Sequence, residues 1–144
     1  MPRPAAGVRG LPGRRTAAAV ALGVVAAAVG GCGAAGREDA ATAVAERFHA
    51  ALAAGDAEAA CEVLAPATRR ELESASGTCA EALTEEDLPQ AEGVVEWTVF
   101  GGGAQVRLDG DTVFLTRSDG PWFVQAAGCT PQQDLPYDCT IGGG

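Results

Sequence analysis

Chemistry in this chain has few residues to work with, and they are scattered. His49 is the one histidine of 144 residues, the residue type most often used as a general acid or base. It stands one position past Phe48, beside an apolar stripe and not at its centre. That makes it a partly exposed helix residue or a group at a pocket mouth. Glu96 lies in "VVEWTVF" on the face opposite Trp97, so it is a solvent-facing position or a buried base, and plain alternation favours solvent. Asp109 and Asp111 flank Gly110, which suits a tight turn, whereas a calcium loop would need further oxygen ligands at regular intervals. Ser74, Ser76 and Ser118 lie in helix-end or turn contexts, without a Gly-x-Ser-x-Gly elbow. "GGGAQ" joins two β-patterned runs and presents no helix N-terminus to a phosphate. The five cysteines, Cys32, Cys61, Cys79, Cys129 and Cys139, include no Cys-x-x-Cys cluster, the spacing that marks zinc and redox sites. These spacings lead us to expect no catalytic constellation, no metal site and no cofactor. The tail "CTPQQDLPYDCT" is stiffened by Pro131 and Pro136 and carries Leu135 and Tyr137. It reads as a preorganised recognition surface or as a clip that holds the chain end against the sheet.

Helices must position the first of these residues and strands the later ones. In "AATAVAERFHAALAAGD" the residues Ala41, Val44, Phe48, Ala51 and Leu52 recur every three or four positions, and Gly55 suits the C-terminal stop. Asp56 can cap a shorter helix in which Ala57, Cys61 and Leu64 share a face, and Pro66 ends it or opens the next turn with "ATRRELES". "TCAE" is a capping box, Thr78 to Glu81, opening a third brief helix through Leu83. Beyond it the period changes to two. "VVEWTVF", "AQVRL", "DTVFLTR" and "PWFVQAAG" are β-rich runs separated by turn signals, the pattern of a four-stranded antiparallel meander. A two-residue turn at Asp109 and Gly110 sets Val106 opposite Val113 and Ala104 opposite Leu115, with Gln105, Arg107, Thr112 and Phe114 on the other face. Trp122 and Phe123 must point to opposite faces, so the sheet is partly covered on both sides or one aromatic is exposed. Helices followed by an antiparallel sheet imply an α+β domain of two layers.

Residues 1–31 carry Arg3, Arg9, Arg14 and Arg15 and no acid, and the sixteen residues from Thr16 to Gly31 are uncharged. That run is shorter than the about 20 apolar residues a spanning helix needs, so the segment reads as a signal peptide. "VGGC" at its end resembles the lipobox of bacterial lipoproteins. The resemblance implies cleavage before Cys32, a lipid on the Cys32 thiol and anchorage at the outer face of the cytoplasmic membrane. Residues 32–39 are then a lipidated cysteine and short tether, reaching about 25 Å if extended, and 40–144 a single domain with a closed tail. Export to an oxidising compartment leaves an even number of cysteines, Cys61, Cys79, Cys129 and Cys139, for two disulfides. The local pairing, Cys61 with Cys79 and Cys129 with Cys139, avoids a long-range ordering cost, and the rival pairing would pin the tail over the helices.

The order of elements resembles the nuclear transport factor 2-like cone fold, in which an N-terminal helix lies in a strongly curved sheet. "FHAALAAGDAEAACEVLAP", "CAEAL" and "AAGCTP…PYDC" resemble a family of small actinobacterial lipoproteins of unknown function, across most of residues 44–140. The cone-fold resemblance implies a pocket that enzymes of that group use for hydrolysis or isomerisation, with His49 or Glu96 as the base available here. The lipobox, the lipoprotein resemblance and the absent constellation together point instead to a non-enzymatic binding or interaction module of the cell envelope. A structural accessory of a membrane complex is the third reading.

Residues 32–144 hold all 19 Asp and Glu against 6 Arg, a formal charge of −13. So acidic a surface disfavours nucleic acid and anionic headgroups and favours cationic partners; besides the lipid anchor, an envelope protein or a small ligand is expected. The absence of Lys and Asn fits a GC-rich actinobacterial source. Labelled palmitate is expected to enter the wild-type protein and not Cys32→Ser, which should stay unprocessed. Equal labelling of both would refute lipidation at Cys32.

Overall fold

The computed structural model describes residues 32–143; the signal segment 1–31 and the residues before Cys32 in the lipobox lie outside them. Helix α1 runs Cys32–Ala53, so the stretch 33–39, expected as a short tether, is part of the helix. Ala41, Val44, Ala45, Phe48 and Ala51 form its buried stripe, and the chain leaves it through Gly55, at φ 70. Asp56 caps α2 (Ala57–Glu62) by accepting from the Ala59 amide, and Pro66 occupies the first turn of α3 (Pro66–Ser76), where its missing N–H costs nothing. Thr78 caps α4 (Cys79–Glu85) by accepting from the Glu81 amide. Among the described residues no helix is long and apolar enough to cross a membrane.

Five strands follow, β1 (Glu92–Phe100), β2 (Gly103–Asp109), β3 (Asp111–Thr116), β4 (Phe123–Gln132) and β5 (Leu135–Ile141), in the spatial order of the chain and antiparallel throughout. The expected register at Gly110 holds: Val106 faces Val113 and Ala104 faces Leu115. The strand count exceeds the expected four because the tail is itself a strand. Pro131 and Pro136 are tolerated because they lie at the outer end of the β4–β5 hairpin, where β5 forms an edge. Its two-residue turn places Asp134 at φ 58, a conformation Asp accepts more readily than most residues.

Helix α1 packs against one face of the sheet, and the core between them contains Phe48, Val106, Val113, Leu115 and Val124. Trp122 is buried and Phe123 half-buried, so the sheet is covered in part on both sides. β4 changes partner along its length, pairing with β3 over Phe123–Ala126 and with β5 from Ala127 onward. Where β5 does not reach, the α2–α3 connection takes its place. Ala65 N–H donates to Val124 O at 2.7 Å, and Val124 N–H to Val63 O at 2.8 Å. This closes an edge that would otherwise leave unpaired backbone groups.

Both local disulfides form, Cys61–Cys79 between α2 and α4 and Cys129–Cys139 across the β4–β5 pair. Loop-closure entropy assigns about 2–3 kcal/mol to each. Phe48 is fully buried at the helix–sheet interface, so Phe48→Ala is expected to lower the free energy of unfolding by about 3–5 kcal/mol in urea titrations. A loss below about 0.5 kcal/mol, the size usual for surface positions, would contradict this packing.

Candidate functional site

The residue missed as a site candidate is Asp111. It follows the Gly110 turn as the first residue of β3, opposite Leu108, and the pleat aims it at the helix layer and not at solvent. Its carboxylate is almost wholly buried and accepts four hydrogen bonds. Oδ1 takes the amides of Thr112 at 2.7 Å and Cys129 at 3.1 Å; Oδ2 takes the Gly128 amide at 3.1 Å and His49 Nε2 at 3.0 Å. Two of these amides belong to the point where β4 leaves β3 for β5. Gly128 sits there at φ 66, and a Cβ would collide with Thr140. The carboxylate thus replaces the ladder bonds that β4 gives up, and burying it is tolerable because its acceptor positions are filled.

His49 is a correction. Expected as partly exposed, it is 3% exposed and lies within the buried face of α1. The apolar stripe is wider than the expected set of positions: Ala45 is also fully buried, and His49 is one turn beyond it. Because Asp111 can only accept, the ring proton is assigned to Nε2. Nδ1 is buried and has no hydrogen-bond partner among the described residues. Asp111 likewise corrects the reading of "DGD" as turn chemistry alone: Asp109 is exposed beside the turn, and Asp111 is structural core.

Glu96 is solvent-facing, as alternation indicates, and pairs with Arg107 across β1–β2 at 2.8 Å. Both side chains are half exposed or more, so the pair contributes little to stability. Glu96 lies on the opposite face of the sheet from His49, and the two do not share a site. Leu135 is 66% exposed at the hairpin tip. Tyr137 folds back over the sheet face remote from α1; its hydroxyl accepts from Gln105 Nε2 at 3.0 Å, and its ring meets Phe114 edge-on at 5.0 Å between centroids. Together with Phe100, Ala126 and Pro136 these two rings border an open groove of about 380 Å³. The Cys129–Cys139 bridge ties down the strand that forms its wall. Phe100 and Phe114 escaped attention as binding residues because only the curl of β5 over the sheet turns their face into a concavity.

No three His, Cys, Asp or Glu side chains among the described residues are arranged to hold a metal ion. Of Cys32 only the backbone, at the start of α1, is described. Comparison with protein-family models, curated proteins and solved structures finds no match.

Removing the Asp111 carboxylate strands three amides and an imidazole in the core. Asp111→Ala is expected to cost about 3–5 kcal/mol in unfolding free energy. A double-mutant cycle with His49→Ala should return a coupling of about 0.5–3 kcal/mol. Additive effects would mean that the 3.0 Å contact carries no energy of its own.

Proposed function

We propose that this protein is a membrane-anchored extracytoplasmic lipoprotein whose domain is a non-enzymatic binding module of the cell envelope. The observation that carries the reading is the groove on the sheet face away from α1, bordered by Phe100, Phe114 and Tyr137. Aromatic rings give large contact area at small entropic cost, and a disulfide-tied wall is already ordered before binding. Its occupant is an apolar or aromatic segment of an envelope protein. The lipobox resemblance supports anchorage of such a module at the outer face of the cytoplasmic membrane. The helix-then-sheet order supports a nuclear transport factor 2-like build, and the quoted motifs support kinship with the small actinobacterial lipoproteins.

The enzymatic reading, a small hydrolase or isomerase, has one observation in its favour, the Asp111–His49 pair with a free ring nitrogen. Against it, the cleft beside His49 is lined by no serine, threonine or cysteine that the imidazole could activate. Asp111 is committed to backbone amides, which explains its burial without catalysis.

A photoreactive residue placed at position 100 or 137 is expected to crosslink, in intact cells, to one and the same envelope protein through an apolar segment. The same residue at exposed Glu73 on α3 should not. Equal capture from all three positions, or none from the groove, would overturn the binding-module reading.

A further inference from the structure

The two ends of the domain differ in charge, and topology puts Cys32 at the less charged one. The last turns of α1 lie at the start of β1: Ala50 and Ala53 border a cleft with Glu92, Gly93 and Leu108, and His49 bonds Asp111 where β2 turns into β3. The earlier residues Ala41, Val44 and Ala45 are buried too, and α1 packs on the strands and, among the helices, chiefly on α2, which follows it directly. The first half of α1 therefore lies over the sheet and runs toward the far end of β1, where Gly101 and Gly102 turn the chain into β2. From His49 back to Cys32 is about 26 Å of helix and from Leu108 back to Gly103 about 17 Å of strand, so Cys32 stands about 9 Å beyond that turn. This end presents Phe100, 56% exposed, and the two exposed glycines. The β3–β4 connection joins it there, since the Arg117 amide donates to Gly102 O at 2.8 Å. Its charges nearly cancel, Arg37 and Arg117 standing against Glu38, Asp39 and Asp119. The opposite end exposes Asp56, Asp87, Glu92 and Asp109, with no arginine in the same turns.

We propose that the end formed by the start of α1 and the β1–β2 turn rests on the lipid bilayer, with Phe100 among the headgroups and the acidic end pointing away; this rests on lipidation of Cys32. The headgroup layer is about 5–8 Å deep on each side of the hydrocarbon core. An acyl chain that holds Cys32 at the edge of the core therefore brings a turn about 9 Å away to the headgroup surface. An exposed aromatic ring at that boundary adds apolar attraction to the acyl anchor. The carboxylates of the other end are more than one strand length away, beyond the Debye length of about 8 Å at physiological ionic strength. The net charge of −13 over residues 32–144 thus selects this orientation, because inverting the domain would press four carboxylates against anionic headgroups. Phe100 also borders the aromatic groove, which accordingly opens at the membrane surface.

The test uses the full-length product, extracted from membranes in detergent and reconstituted into vesicles of phosphatidylcholine and phosphatidylglycerol. Part of the choline headgroups carry a nitroxide, a short-range quencher of tryptophan emission. Trp97→Phe leaves buried Trp122 as the only native tryptophan, and its signal, measured alone, is subtracted. A reporter is then added to that background as Phe100→Trp or as Gln133→Trp. Both positions are exposed, so neither change threatens the fold, and Gln133 lies in the β4–β5 turn, at the end of the sheet away from Gly101. The tryptophan at position 100 is expected to lose about half or more of its emission, and the one at position 133 next to none. Equal loss at both, loss at position 133 alone, or loss at neither, in protein that floats with the vesicles, would overturn the orientation and leave the anchorage standing. Protein that does not float with the vesicles would overturn the anchorage, and this inference with it.

Discussion

A single buried carboxylate ties together three elements, two neighbouring strands and the helix that packs on them. Asp111 binds its own strand through Thr112, β4 through Gly128 and Cys129, and α1 through His49. Apolar packing is non-directional and would tolerate α1 sliding along the sheet. A hydrogen bond at 3.0 Å from a buried imidazole sets the helix at one position relative to the strand. The same carboxylate makes the strand exchange at β4 possible, because amides that leave the β3 ladder would otherwise be buried without acceptors.

The partner exchange has consequences on the far face of the sheet. Once β4 leaves β3, β5 pairs with its outer half and curls back, so that Tyr137 reaches Gln105 on β2 and Phe114 on β3. The aromatic groove is the space left under that curl. Its wall is an edge strand containing a proline, an arrangement that the Cys129–Cys139 bridge keeps attached at its middle. At the opposite edge, β1 leaves Val95, Trp97 and Phe100 about half exposed. Two register irregularities and the charged Glu92 and Glu96 there disfavour edge-to-edge association.

For a domain of little more than a hundred residues the apolar core is small, and its largest wholly buried side chain is Phe48. Much of α1's buried face is alanine, which allows close approach to the sheet but removes little apolar area from water. The two disulfides and the polar knot at Asp111 compensate for that thin interior. Cys61–Cys79 acts among the helices, within the apolar core, and Cys129–Cys139 on the sheet edge beyond it.

What was legible in the sequence is what local chemistry dictates. The cap at Asp56, the proline opening α3, the Thr78 cap and the Asp109–Gly110 turn depend on residues within four positions of one another, and all lie where their types require. The register of β2 on β3 follows from that turn, and the local cysteine pairs from loop length. Tertiary structure decided the rest. Nothing local distinguishes Asp111 from Asp109, since both flank the same glycine; only the pleat, counted from Leu108, and the arrival of α1 bury one and expose the other. His49 is inside because the helix buries a stripe wide enough to include it, a width set by the sheet it meets. The tail reads as a loop because its prolines discourage a strand in isolation, yet it pairs as β5 because β4 offers it a free edge. Each of these outcomes depends on a partner distant in sequence, and such a partner leaves no mark on the residues until the chain has folded.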